Sequence, residues 1–321
     1  MVACTVIGEA LVDLVESSAA PGTFRAHAGG SPYNVALTLA RLRQPVSLVA
    51  RTGRDSFGRL LEEKARASGV GFDRWQIVDE PTTLAVASLD HAGRAQYDFY
   101  LDRTAGLGFD QSVIDVVPTG GLFHLGSIAS WRAPSGPVLL ALQQRVYATG
   151  DVLVSYDPNV RSGLVADLGA TRAAIERCIA SAHLVKASDE DVAFLYPEVA
   201  PESVAARWCR LGVSVVVLTL GAAGSAAFGA AGELSRRPSL TIEVADTVGA
   251  GDSFTGGLLA GLSDSGLSTP DALATAAAEG DGRIDDALLQ AIVVAAITCE
   301  RSGANPPTRE ELDERLQALD T

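Results

Sequence analysis

Lysine is nearly missing from this chain: Lys64 and Lys186 are the only two among its 25 basic residues. Neither follows a glycine, so no Walker A loop exists and a P-loop phosphate site is excluded. Positive charge is also outnumbered. With 39 acidic residues the formal net charge is −14, a sign that repels the phosphate backbone and excludes nucleic acid as the expected partner. Cys4, Cys178, Cys209 and Cys299 form no C-x-x-C pair, which reads as reduced, small apolar residues rather than disulfides or zinc ligands. His27, His91, His124 and His183 are equally scattered, and a metal site built on His or Cys is not expected. No apolar run reaches membrane-spanning length, and MVACTVIGEALVDLV carries acids where a signal peptide needs a basic start. The expectation is a cytoplasmic protein with no membrane partner. Repeats, low-complexity tracts and an obvious linker are missing too, so 321 residues, 47% of them hydrophobic, fit one α/β domain or two.

What the chain does have is concentrated at 244–262, VADTVGAGDSFTGGLLAGL. An apolar run ends in polar residues and two glycines, a carboxylate follows, and Phe254, Leu258, Leu259 and Leu262 recur at helical spacing, which predicts strand, tight turn and helix. Gly249, Ala250 and Gly251 let consecutive amide N–H groups converge where the helix opens, and the helix dipole favours an anion there. Asp252 in that first turn is placed to orient a hydroxyl towards phosphorus and take its proton, the work of a base in phosphoryl transfer.

Other motifs stand at the ends of apolar runs. Asp13, after the strand around Cys4 to Ile7, can accept hydrogen bonds from two sugar hydroxyls. In Gly29-Gly30-Ser31-Pro32-Tyr33-Asn34, Ser31 suits an N-cap and Pro32 the first helical position, and Asn34 offers both donor and acceptor to a hydroxylated ligand. Asp55 or Ser56 caps the next helix. From 82 to 101 the pattern alternates around a turn at His91 to Gly93, a hairpin rather than a βα unit. Later strands alternate with helices, which implies a parallel sheet with ligands at the strands' C-terminal ends. Arg161 in Asp157-Pro158-Asn159-Val160-Arg161 sits at such an end and suits either phosphate or sugar. Thr219 in T-x-G-x-x-G, with Gly221 and Gly224, offers a hydroxyl and close backbone approach to a nucleotide phosphate.

DTVGAGDSFTGG, together with GG-x-x-x-N-x-A at 29–36, resembles the two signatures of the ribokinase-like (PfkB) sugar and nucleoside kinases. GEALVDLV, PTTLAV, HLGSI, SYDPNVR and VKASDED look most like its fructokinase branch, and the resemblance covers essentially the full chain. It implies an α/β, ribokinase-like three-layer fold with a mainly parallel central sheet. One kinase domain over 1–321 would carry a β-sheet lid from about 10–28 and 82–106. It implies transfer of the ATP γ-phosphoryl group to a sugar primary hydroxyl, D-fructose at O6 or O1, with Asp252 as base and Gly249, Ala250 and Gly251 as the anion hole. Asp13, Gly29, Gly30 and Asn34 would grip the sugar, with Phe99, Arg103 and Arg161 as further contacts and Asn305 at the adenine. The family's N-x-x-E, which orders water around Mg²⁺, is here Ser188-x-x-Asp191, a departure that leaves Asp191 a shorter arm. In relatives a monovalent cation is held near the glycine turn; Asp246 and the carbonyls of Val248, Arg301 and Gly303 match, and K⁺ is the ion implied. A homodimer through the lid is the assembly it suggests. Kinases for 2-keto-3-deoxygluconate, ribose or a nucleoside, or a non-catalytic sugar sensor, share the fold and remain open at this point.

Overall fold

A computed structural model describes residues 3–17, 20, 22–89, 95–115 and 117–319. The strands are β1 (Cys4–Ile7), β2 (Leu11–Glu16), β3 (Phe24–Gly29), β4 (Val46–Val49), β5 (Arg51–Gly53), β6 (Gln76–Val78), β7 (Thr83–Leu89), β8 (Ala95–Tyr100), β9 (Gly121–Gly126), β10 (Val152–Asp157), β11 (Leu184–Ser188), β12 (Val215–Thr219), β13 (Ser225–Gly229) and β14 (Gly232–Arg237). The helices are α1 (Ser31–Arg41), α2 (Ser56–Ala67), α3 (Ser127–Trp131), α4 (Ser135–Thr149), α5 (Leu168–Ile179), α6 (Asp189–Leu195), α7 (Pro201–Arg210), α8 (Ala250–Asp264), α9 (Pro270–Glu279), α10 (Gly282–Cys299) and α11 (Arg309–Leu319).

Eight strands form one sheet in the order β14-β13-β12-β11-β10-β9-β1-β4. From β12 to β4 every pairing is parallel, and β13 and β14 close the edge antiparallel. Successive residues of a strand face opposite sides, so each strand feeds two cores. Val6, Leu122, Leu153, Leu184 and Val217 pack with α1, α8, α9 and α10, whereas Ile7, Phe123, Val154, Val185 and Val216 pack with α3, α4, α5 and α7. The result is helix, sheet and helix in three layers, the α/β architecture expected.

A second sheet, β3-β2-β7-β8, stands apart. β2 pairs antiparallel with β3 and parallel with β7, and β7 pairs antiparallel with β8. The hairpin expected after Thr82 is therefore present, while its turn at 91–93 lies outside the described residues.

Helix α8 owes its position to small residues. A Cβ on Gly256 would stand 2.6 Å from the Thr38 side chain of α1, and Cβ atoms on Gly257 and Gly261 would stand 3.0 and 2.9 Å from the α10 backbone at Ala291 and Ala287. Three helices therefore meet at backbone distance. Phe254, Leu258, Leu259 and Leu262 are each at most 4% exposed, worth about 2 kcal/mol apiece.

Two local expectations fail. The strand expected from Val244 up to the glycine turn does not form: 238–248 is irregular, with Val244 57% and Val248 43% exposed. The antiparallel hairpin β13–β14 intervenes between Thr219 and α8, so the chain reaches the turn by a loop whose apolar side chains face a cleft rather than the core. Ser31 does not cap α1: Gly30, at φ 102, occupies that position, and no side chain caps the helix. Asp55 does cap α2, accepting from the Gly58 N–H at 2.8 Å.

Candidate active site

The C-terminal ends of β1, β9, β10, β11 and β12 open onto one cleft of about 2240 Å³, larger than a single small-ligand pocket and roomy enough for two ligands side by side. The small sheet forms one wall, through Leu11, Asp13, Ala28, Ala87 and Phe99.

At the centre stands the mouth of α8. Gly249 holds the N-cap in the left-handed region, φ 77, where a side chain is strained, and a Cβ there would also fall 2.6 Å from the Ala304 Cβ. Only glycine lets the 301–304 loop press against the turn. Asp252 follows in the first turn, 8% exposed and bordering the cleft. Two amides hold its carboxylate: Asn34 Nδ2 donates to Oδ2 at 2.8 Å and Asn159 Nδ2 to Oδ1 at 3.3 Å. Asn34 thus touches the expected base directly. Asn159, in the left-handed region at φ 37, accepts from Arg161 at 2.6 Å through Oδ1, so the loop after β10 ties Arg161 to the same carboxylate.

Beneath the turn lies a charge that motif reasoning did not assign. Lys186, in β11 and 4% exposed, pairs with Asp157 at 3.2 Å, and a Cβ on Gly251 would stand only 3.3 Å from its Nζ. Burial works against the ammonium, but Asp157, Asp191 and Asp252 outweigh it and raise its pKa above the usual lysine value. Thr255 also donates to Asp157, at 3.2 Å. Composition carried a signal for this residue: in a chain that otherwise uses arginine, both lysines line the cleft.

The sugar candidates sit at the other end. Asp13 is half-buried, and burial raises its carboxyl to about 6 although Arg161 and Lys64 pull it down. Gly29 makes room for it, since a Cβ there would meet Asp13 Oδ2, and does not itself line the cleft. Gly30, Asn34, Phe99 and Arg161 line the cleft; Arg103, exposed on the far side of the loop after β8, does not.

On the opposite side, Thr219, Gly221 and Gly224 line the cleft beside Asp189, Glu190 and Asp191. Asp191 closes a capping box with Ser188, and its Oδ1 accepts from the Val160 N–H at 2.7 Å, so it also fixes the Asn159 loop. Asp246 accepts from the N–H groups of Val248 at 3.0 Å and Gly303 at 2.8 Å, joining the two loops whose carbonyls were expected to hold a cation. The Arg301 side chain turns away to Glu311. Asn305 lines the cleft and is held by Arg41 at 2.9 Å; Ile292, Ala295, Ala296 and Cys299, with Val244 and Val248, give the same cleft an apolar wall.

The pfkB family carbohydrate kinase model matches residues 1–311. The chain belongs to that family. It is 34% identical over 265 residues to a fructokinase of Rhizobium leguminosarum bv. trifolii, covering 82% of this chain and 80% of the relative. A Klebsiella pneumoniae fructokinase is 31% identical over 313 residues, covering 97% and 98%. Among solved structures, Xylella fastidiosa fructokinase with bound ATP superposes at TM-score 0.88 with 26% identity, covering 99% of each chain. A Vibrio cholerae O395 fructokinase double mutant, in a form with fructose, ADP and potassium ion bound, superposes at 0.83 with 27% identity over 99% and 98%. This pfkB kinase is therefore a phosphotransferase acting on a carbohydrate, with a nucleotide and a metal ion as the companions its relatives bind.

Proposed function

We propose that this kinase transfers the ATP γ-phosphoryl group to a primary hydroxyl of D-fructose. The observation that carries the reading is the Asp252 carboxylate, held by Asn34 and Asn159 at the mouth of α8, between the glycine turn and the pocket containing Asp13. Asp252 takes the hydroxyl proton as the new O–P bond forms and the bond to the β-phosphate oxygen breaks, releasing ADP. The amides of Gly249, Ala250 and Gly251 receive the equatorial oxygens of the migrating group, and Lys186 adds a full positive charge beneath them. Asp13, Gly30, Asn34 and Arg161 hold the sugar, with Phe99 packing against it. Thr219, Gly221 and Gly224 receive the nucleotide phosphates, and the apolar wall of α10 receives the adenine.

The metal reading is Mg²⁺. Among the described residues no group of three or more His, Cys, Asp or Glu is placed to hold a metal ion, while Asp189, Glu190 and Asp191 give the phosphate side an acidic edge. That donor set fits an ion bound chiefly by phosphate oxygens and water, with Asp191 acting through water; the ion would neutralise charge on the phosphates. The loops joined by Asp246 fit K⁺, through the carbonyls of Val248, Arg301 and Gly303. The chain would act as one domain, with the small sheet closing as a lid that keeps water from the γ-phosphate. Its edge strand β3, exposed from Phe24 to His27, is the surface for a homodimer. A cytoplasmic setting follows from the substrates; among the described residues no helix is long and apolar enough to cross a membrane.

The test is ADP release by the purified protein with ATP, Mg²⁺ and a panel of fructose, ribose, 2-keto-3-deoxygluconate, aminoimidazole riboside and nucleosides. Fructose is expected to lead in kcat/KM by at least about 100-fold, the scale on which a hydrogen-bonding pocket rejects poorer fits. Phosphorus NMR of the product then assigns O1 or O6. A higher kcat/KM for any other acceptor reassigns the substrate, and no ADP release with any of them rejects the kinase reading.

A further inference from the structure

Among the described residues, three buried side-chain atoms without a hydrogen-bond partner belong to residues lining the cleft: Glu9 Oε1, Ser31 Oγ and Asn34 Oδ1. They come from adjoining backbone. The Glu9 carbonyl lies 2.5 Å from where a Cβ on Gly30 would stand, so the segment after β1 is pressed against the glycines that precede α1. Buried polar groups are nearly always paired, and one that is not calls for a partner supplied from elsewhere. All three can accept a hydrogen bond, and every hydroxyl of a polyol has one to donate.

Glu9 is the informative member. It is 1% exposed, and its Oε2 accepts from the Ala129 N–H at 3.0 Å, tying β1 to the start of α3. A glutamine carbonyl would do that structural work without the cost of burying an acid. A carboxylate in that place gains most when its second oxygen accepts as well. Burial raises Glu9 to about 7, and the neighbouring Ser127 side chain and Ala129 N–H, more than the charge of Arg161 that also acts on Asp13, pull it back towards ionisation; even with Ser127 beside it, Oε1 makes no hydrogen bond of proper geometry.

We propose that Glu9 is a specificity-determining residue of the sugar site, its Oε1 accepting a hydrogen bond from an acceptor hydroxyl other than the one phosphorylated. The assignment rests on the sugar-kinase reading above and adds a contact to it. The transferring hydroxyl belongs to Asp252, so the Glu9 partner is on a different carbon, and Glu9 helps decide which polyol is accepted. In Glu9→Gln the amide oxygen still receives the Ala129 N–H, and the NH₂ group is presented where the acceptor was, donor against donor.

The experiment measures KM for fructose and for singly deoxygenated fructoses at pH 8, with wild type and Glu9→Gln, alongside KM for ATP and thermal melting. Glu9→Gln should raise KM for fructose about 10-fold to 100-fold, the loss expected for a hydrogen bond to a charged group, with KM for ATP and the melting temperature unchanged. For the one deoxy sugar that lacks the partner hydroxyl, the two proteins should share the same KM. A fructose KM within twofold of wild type, or the same ratio for every deoxy sugar, overturns the assignment. If Glu9→Gln melts early, the wild type alone decides it: as pH falls through 7, KM should rise for every sugar except that one, which keeps only the Asp13 limb near pH 6, and a common pH profile overturns the contact. Wild type that phosphorylates no sugar overturns the kinase reading itself, whereas wild type that does, with Glu9→Gln unchanged, overturns only the role of Glu9.

Discussion

The two ends of the cleft have opposite hydrogen-bonding character. At the phosphate end the protein presents donors: the amides of the glycine turn, the Thr219 hydroxyl and the Lys186 ammonium. At the sugar end it presents mainly acceptors: Glu9, Asp13, and the free oxygens of Ser31 and Asn34. A phosphate offers only acceptors at neutral pH, whereas each sugar hydroxyl can donate, so the proposed acceptor end suits a sugar and repels a phosphate. Asp252 stands at the boundary, where a donor of one substrate must become a bond to the other. In the proposed reaction this asymmetry would orient both substrates before any chemistry occurs, the preorganisation on which such transfers depend.

Removing the group at the boundary is expected to have the largest effect. Asp252→Asn keeps the size of the side chain but cannot accept the proton, so kcat should fall about 10³-fold while calorimetric affinities for ATP and fructose stay within a few-fold of wild type. Turnover near normal would take the base role away from Asp252.

Lys186→Met tests the donor end and comes next. Losing the charge beneath the turn should lower kcat about 10²-fold, with KM for fructose nearly unchanged. It also leaves Asp157 buried and unpaired, a destabilisation on the order of 3–5 kcal/mol. Lys186→Met with Asp157→Asn separates the two effects: melting temperature should recover in the double variant and kcat should not. Recovery of both would make the lysine a structural counter-ion only.

The parts of the site that the sequence discloses are those whose chemistry is contiguous. Gly249 to Asp252 is legible because the proposed cradle and base share one turn, and Asn34 because it follows glycines within its own motif; Asp13, expected at a strand end, instead lies inside β2, paired in register with His27 of β3. Lys186 is not legible that way. It sits inside an apolar strand, and its meaning comes from β11 running beneath a turn more than 60 residues later. The three-layer sheet follows from alternating βα patterns, yet the β13–β14 hairpin breaks that alternation, and the run from Val244 looked like a strand because its apolar residues line a cleft, which periodicity does not distinguish from a core. Ser31 misled for a similar reason. Gly30, at φ 102, can take the capping position where a serine would be strained, and it leaves the hydroxyl facing the cleft without a partner. Arg103 shared a motif neighbourhood with Phe99, but after β8 ends the chain turns, at φ 57 for Arg103, and carries it away.

The acceptor end should show a milder, pH-graded weakness. Asp13 has its carboxyl raised from 3.8 to about 6, because burial penalises the charge more than Arg161 relieves it. Below pH 6 the proton turns one acceptor oxygen into a donor facing sugar hydroxyls, so KM for fructose should climb towards 10-fold per pH unit while KM for ATP stays flat. Stability runs the other way. The folded state holds this proton more tightly than the unfolded chain, so without sugar the fold gains stability as pH falls from 6 towards 3.8. Asp13→Asn should bind fructose more weakly at neutral pH, by about 1.5–3 kcal/mol, and lose the limb near pH 6 together with the stability trend, keeping only the rise through pH 7 that the Glu9 contact predicts. A limb of the KM profile near pH 6 that survives in Asp13→Asn belongs to another group, and the acceptor end would then owe its pH response to a residue other than Asp13.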